Sequence, residues 1–182
     1  MKSIEDILKD RKTGLKEALN TFDNLDVVPV DFMIGRWKGF EIKSDHRMDG
    51  LLEAAGWYGK LFRSPEEVHP LLFYTSNKTA LYAVNPRIVP MHIRFPKSDV
   101  VGILMKLLKP FLQTKKSAAR LRIIEYRGRA TATMCYDEKA ILDHFARIDD
   151  NRVMGVMDLK GNPEPYIFIL ERDDDTDLKQ NF

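Results

Sequence analysis

The 182-residue chain is predicted to be mainly β, an antiparallel β-barrel of about eight to ten strands with an N-terminal helix and one amphipathic helix near residues 98–114. Three observations point there. Short apolar and aromatic stretches recur between residues 32 and 172, and the turn residues between them imply antiparallel hairpins. Only two stretches carry a helical apolar period of useful length. A meander of about nine strands must also hide its edges, and closure into a barrel does so.

Taken in order, residues 3–20 are expected to form one helix. Ser3 is placed to cap it, Asp6 lies near the positive end of its dipole, and Ile4, Ile7, Leu8, Leu15, Ala18 and Leu19 form the apolar stripe. Residues 21–31 connect, with Pro29 discouraging further helix. Residues 32–43 form the first strand, 48–55 a helical turn, and Trp57 to Arg63 a second strand. Leu71–Thr75 and Ala80–Val84 flank the hairpin turn Ser76-Asn77-Lys78-Thr79. Pro86, Pro90 and Pro96 make the next stretch a loop or edge strand. In the 98–114 helix, Val100, Ile103, Leu104, Leu107, Leu108 and Phe111 share a face, and Pro110 bends or ends the last turn. Ala119–Tyr126, Ala130–Tyr136, Ile141–Ile148, Val153–Asp158 and Tyr166–Arg172 complete the strands, with a helical turn as the alternative at Ile141–Ile148. The expected organisation is an N-terminal helix and connector (1–30), a single barrel domain (31–172, with parts 31–90 and 115–172) and an acidic tail (173–182) that frays.

Charge is balanced overall at +2, which gives no global case for nucleic-acid binding. Its distribution is uneven. Residues 36–136 hold 18 Lys and Arg against 8 Asp and Glu, and residues 137–182 hold 6 against 12. The two blocks either neutralise each other in the fold or leave a basic face for an anionic ligand. The lone Cys135 excludes an intramolecular disulfide and a multi-cysteine metal site. With no secretory signal and no apolar run near the roughly 18 residues of a membrane helix, the expected setting is the cytoplasm.

The segment Gly35-Arg36-Trp37-Lys38-Gly39 matches Gly-x-Trp-x-Gly. Two further stretches accompany it: Leu51 to Phe62 with Val68-His69-Pro70-Leu71-Leu72, and a later set comprising Ala119-Arg120-Leu121-Arg122, Arg127-Gly128, Ala132-Thr133-Met134, Tyr136-Asp137, Ile141 to Phe145 and Gly155-Val156-Met157-Asp158. The first resembles the GXWXG family and the second the domain of unknown function that usually follows it, together over about residues 20 to 172. Ala140 departs from the pattern, which has a proline there. The resemblance implies a lipocalin-like (calycin) barrel and no established activity; a fold does not assign function. It makes Gly35, Trp37 and Gly39 a structural signature. Trp37 is expected to close one barrel end under a stacked basic residue, with Arg120, Arg122 and Arg172 as candidates.

His46, His69, His92 and His144 show no metal-ligand spacing, so no metal is expected. Nitrobindin-like barrels also begin with Gly-x-Trp-x-Gly and ligate haem, but they carry a third glycine where this chain has Glu41 and a histidine near the C-terminus. No cofactor is predicted, with haem a minor option. Asp137, Asp143 and His144 are candidate acid–base groups if they converge. Tyr58, Lys60, Arg122 and Tyr136 are candidate ligand-binding residues. Strict alternation puts Tyr58 and Lys60 on one face and Trp57, Gly59 and Leu61 on the other; a basic and phenolic face suits an acidic head group. Arg120 and Arg122 share one strand face, which is a surface face if it points outward. The leading expectation is a barrel that binds a small, largely apolar, anionic molecule. The alternatives are an isomerase, cyclase or hydratase on the same scaffold, or an interaction module using the 98–114 helix to meet a partner or a second copy of the chain. Phosphate-binding and nucleic-acid motifs are absent.

Overall fold

The computed structural model describes residues 2–89, 107–108 and 110–182. Its frame is eight antiparallel strands closed into a barrel, with extra strands outside the ring. The barrel strands are β2 (Gly35–Glu41), β3 (Trp57–Phe62), β4 (Val68–Tyr74), β7 (Ala119–Tyr126), β8 (Arg129–Tyr136), β9 (Ile141–Arg147), β10 (Arg152–Leu159) and β11 (Tyr166–Arg172). Each pairs with the next barrel strand along the chain. The ring closes where β11 meets β2 and where Val68 of β4 faces Ala119 of β7.

Beyond Val68, β4 leaves β7 and pairs instead with β5 (Ala80–Val84), which in turn pairs with β6 (Gln113–Thr114). The wall is extended there by a flap, so Tyr82, Val84 and Leu112 join the same apolar cluster as Phe73 and Ile141. Short β1 (Asp26–Val27) pairs with β9. The alternation of β10 illustrates the division between faces: Val153 and Met157 belong to the interior cluster, while Met154 and Val156 pack outside.

The N-terminal region differs from the single predicted helix. It forms α1 (Ile4–Asp10) and α2 (Leu15–Asn24), separated at Arg11, which takes a left-handed conformation, and at Gly14, the residue that starts α2. The link between them pairs with Lys43, just past β2: Thr13 N donates to the Lys43 carbonyl and Lys43 N to the Arg11 carbonyl, each at 3.0 Å. Ser3 caps α1 reciprocally with Asp6. Breaking the helix lets Ile7, Ala18 and Phe22 lie together on the outer surface formed by Phe40, Ile42, Ala146, Met154, Val156, Ile167 and Ile169.

The acidic tail does not fray. Asp174 accepts from the Arg36 backbone at 2.7 Å, Arg36 donates to the Asp173 carbonyl at 2.7 Å, and β12 (Lys179–Gln180) adds to β5 in parallel. Phe182 then packs on His69, ring centroids 4.7 Å apart. The Arg36 guanidinium, from the basic block, is held by the tail's backbone carbonyls at Asp173 and Thr176. Most of the predicted 98–114 helix lies outside the described residues. Its described end is helical to Leu112, which is buried, and β6 begins at Gln113 where a helix had been expected to continue. Ile141–Arg147 is a strand, not a helical turn. No helix among the described residues is long and apolar enough to cross a membrane.

Candidate functional site

A single backbone irregularity decides the site. At Gly59 the register of β3 against β4 shifts, and Gly59 has φ +150°. A β-carbon there would lie 2.0 Å from the Trp37 carbonyl oxygen, so only glycine fits. The bulge resets the alternation. Tyr58 and Leu61 face outward into a cluster with Leu72 and Leu81, while Trp57 and Phe62 belong to the interior cluster. Lys60 goes inward with them. The expected shared face of Tyr58 and Lys60 is therefore broken by the bulge.

Inside, Lys60 Nζ lies 2.8 Å from Asp143 Oδ2, with the two side chains 3% and 1% exposed. Lys60 also donates to the Pro70 carbonyl at 3.2 Å. Its ammonium sits over the rings of Phe168, Trp57 and Tyr136, at 5.0, 5.8 and 5.8 Å from their centroids, an arrangement that favours positive charge. Asp143 Oδ1 is buried and has no hydrogen-bond partner among the described residues. Burial pushes the Asp143 carboxyl above its ordinary range, against the pull of Lys60. Burial, and then the charge of Asp143, push the Tyr136 phenol well above its usual value, so it stays a neutral hydroxyl.

A second polar group lines the same end of the barrel. Glu41 accepts hydrogen bonds from the Tyr166 hydroxyl, from Gly50 N at 2.7 Å and from Leu52 N at 2.9 Å. It thereby ties down α3 (Leu51–Ala55), whose partly buried Leu51, Leu52 and Ala55 rest against the interior cluster. Burial raises the Glu41 carboxyl, opposed by those three donors. His46 stands beside Tyr166 with Nε2 3.1 Å from Asn162 Nδ2.

The opposite end is plugged. Trp37 is fully buried, its indole donates to the Met33 carbonyl at 2.8 Å, and the Arg172 guanidinium stacks 4.3 Å from its ring centre. Arg172 also donates to Ile34 at 2.9 Å and Phe32 at 2.7 Å. Of the three candidates for this stack, Arg172 is the one in place. Gly39 makes room for the other indole: a β-carbon there would lie 2.2 Å from the Trp57 ring. The first glycine of the motif, Gly35, has φ +129° and lies against Arg172 and Asp174.

This plug, built from the Gly-x-Trp-x-Gly strand, agrees with comparison to known families. Residues 20–78 match the GXWXG protein family, and residues 117–172 match a domain of unknown function, DUF4334. The chain carries a GXWXG segment followed by a DUF4334 segment. Both segments are needed for one barrel, and they contribute one ion each to the buried pair: Lys60 from the GXWXG segment and Asp143 from DUF4334. A crystal structure of a protein from Thermomonospora curvata is similar, with a TM-score of 0.71 and 29% identity, covering 93% of this chain and 95% of that one. No curated protein matches the chain.

Within this GXWXG barrel the other sequence candidates disperse. Tyr58 points outward and donates to Asp173 at 2.6 Å, burial first raising its phenol far above the ordinary value. Arg122 lies on the outer face, paired with Glu66 at 2.7 Å. Asp137 pairs with Arg120 at 3.0 Å near the surface. His144 follows Asp143 in sequence and so faces the other way. It meets Thr133 Oγ1 at 2.9 Å and stacks on Tyr126 at 3.9 Å and 5°, and burial pushes its imidazole down to about 4. Asp137, Asp143 and His144 therefore do not gather into one acid–base site. Tyr136 does reach the Lys60 site. Sequence reasoning missed Trp57, Phe168, Glu41 and Tyr166 as lining groups; the inward parity of Phe168 and Tyr166 on one strand was the available signal. Among the described residues no cluster of three or more His, Cys, Asp or Glu could hold a metal ion. His69 and His144 face outward, and His92 lies outside the described residues.

Proposed function

We propose that the barrel holds a small, largely apolar and electrically neutral molecule whose polar end both donates and accepts a hydrogen bond. The observation that carries this reading is Asp143 Oδ1, buried with no partner among the described residues, beside a lysine already neutralised by Oδ2. A buried unpaired carboxylate oxygen calls for a donor. An ammonium bonded to Asp143 and Pro70 has a third N–H to give. An alcohol or a primary or secondary amide satisfies both at once, while Trp57, Phe168, Met134 and Met157 offer apolar and polarisable walls. A carboxylate ligand is disfavoured, because Lys60 has its counter-ion and a second anion would lie against Asp143. The lipocalin-like barrel form and the partly buried Leu51, Leu52, Leu71 and Val89 around the same end support entry from there.

Native mass spectrometry of the purified protein offered 1-decanol, decanamide and decanoate tests the reading. The alcohol and amide are expected to be retained and decanoate not. Preferential retention of decanoate, or of none of the three, would overturn it.

A further inference from the structure

We infer that Lys60 is a covalent attachment site for an apolar aldehyde or ketone, which it binds as a Schiff base with Asp143 as proton donor and counter-ion. The inference rests on the proposed ligand site and specifies a reactive class for it. Lys60 Nζ is the one nitrogen nucleophile among the described groups at this end of the barrel that carries a carboxylate at 2.8 Å. An ammonium cannot attack a carbonyl. Here its proton has a direct acceptor in Asp143 Oδ2 at 2.8 Å, and transfer along that contact gives the neutral amine and carboxylic acid from which attack proceeds.

The step balances without any further reagent. The neutral Nζ adds to the carbonyl carbon, and the C=O π pair takes the proton that the nitrogen sheds, relayed by Asp143, which gives a carbinolamine and leaves Asp143 protonated. Asp143 protonates the hydroxyl as it leaves as water, and the nitrogen lone pair forms C=N. The product is a protonated imine with Asp143 as the carboxylate beside it. The faces of Phe168, Trp57 and Tyr136, at 5.0, 5.8 and 5.8 Å from Nζ, suit a cationic iminium as they suit an ammonium. Exclusion of water, shown by the 3% and 1% exposure of the pair, slows the hydrolysis that ordinarily dissociates such adducts. Asp143 Oδ1, with no partner among the described residues, can accept a hydrogen bond from the departing water.

Incubation with decanal, reduction with sodium borohydride and peptide mapping by mass spectrometry tests the inference, with 1-decanol in native mass spectrometry as the non-covalent control. The expected result is a reduced decyl adduct on Lys60 at least tenfold above the mean of the other lysines. It should be lost in Lys60→Arg and in the double variant Lys60→Met with Asp143→Leu, which removes the ion pair as a unit and so keeps the fold. Retention of decanol without a Lys60 adduct would overturn the covalent step and leave the ligand reading standing. Equal labelling of all lysines, unchanged in the variants, would overturn it too. Failure to hold either decanol or decanal would bring down both readings.

Discussion

Replacing Asp143 by leucine isolates the energetics of the buried pair. At 2.8 Å and an effective dielectric of about 20, the Coulomb attraction is about 6 kcal/mol. Withdrawing each ion from water costs several kcal/mol, so the intact pair adds little net stability. Removing one member is different, because Lys60 is then left charged or forced neutral among Trp57, Phe168 and Tyr136, with the Pro70 carbonyl its one remaining acceptor among the described residues. Asp143→Leu is expected to cost about 3–5 kcal/mol, which in a chain of this length lowers Tm by roughly 6–20 °C. Adding Lys60→Met to it should restore stability to within about 1 kcal/mol of the parent or above it. Urea unfolding followed by circular dichroism, with thermal melts alongside, measures all four corners of the cycle. If Asp143→Leu alone costs under about 1 kcal/mol, or the double variant is no better than the single, the pair is not the closed, desolvated unit described above.

Other expectations concern the frame and its titration. Gly59→Ala places a methyl 2.0 Å from the Trp37 carbonyl at φ +150°; the loss should be about 3 kcal/mol or more, read as insoluble expression or a collapsed melting transition, and a normal melt would contradict the role given to the bulge. Arg172→Met removes the stack on Trp37 and the bonds to Phe32 and Ile34, with an expected cost of about 2–3 kcal/mol in urea unfolding. His144 is neutral in the fold, its value moved from 6.5 to about 4. Below pH 6.5 the unfolded chain takes up a proton that the folded one refuses, so stability falls as pH drops from about 6.5 to about 4, by about 2.5 kcal/mol at pH 4.5. His144→Asn should remove that part of the slope; an unchanged difference between pH 7 and pH 4.5 would show that His144 is already solvated.

Much of the barrel could be read from local pattern. The strand at Tyr166–Arg172 and the hairpin about Ser76–Thr79 follow from apolar runs and turn residues, and the capping box at Ser3 from spacing alone. The N-terminal helix was read too long because Leu15, Ala18 and Leu19 continue its stripe, whereas Arg11 and Gly14 turn the chain so that both pieces reach the barrel. The tail was misread because its acidity looks solvated in isolation; Arg36 and Tyr58, remote in sequence, supply its partners.

A mainly β chain, the two family segments and the indole that plugs one end are legible in the sequence, since period-two alternation, turn chemistry and the Gly-x-Trp-x-Gly strand are local properties. Lys60 and Tyr136 stand out there as residues, but not as neighbours of Asp143. That neighbourhood is a product of the folded barrel. The bulge at Gly59 reversed the parity of Lys60 relative to Tyr58, because one extra residue in a strand exchanges the faces of everything after it. Ring closure between β4 and β7 and between β11 and β2 then brought the two halves of the chain around one interior, where a lysine and an aspartate from different segments supply each other's counter-charge.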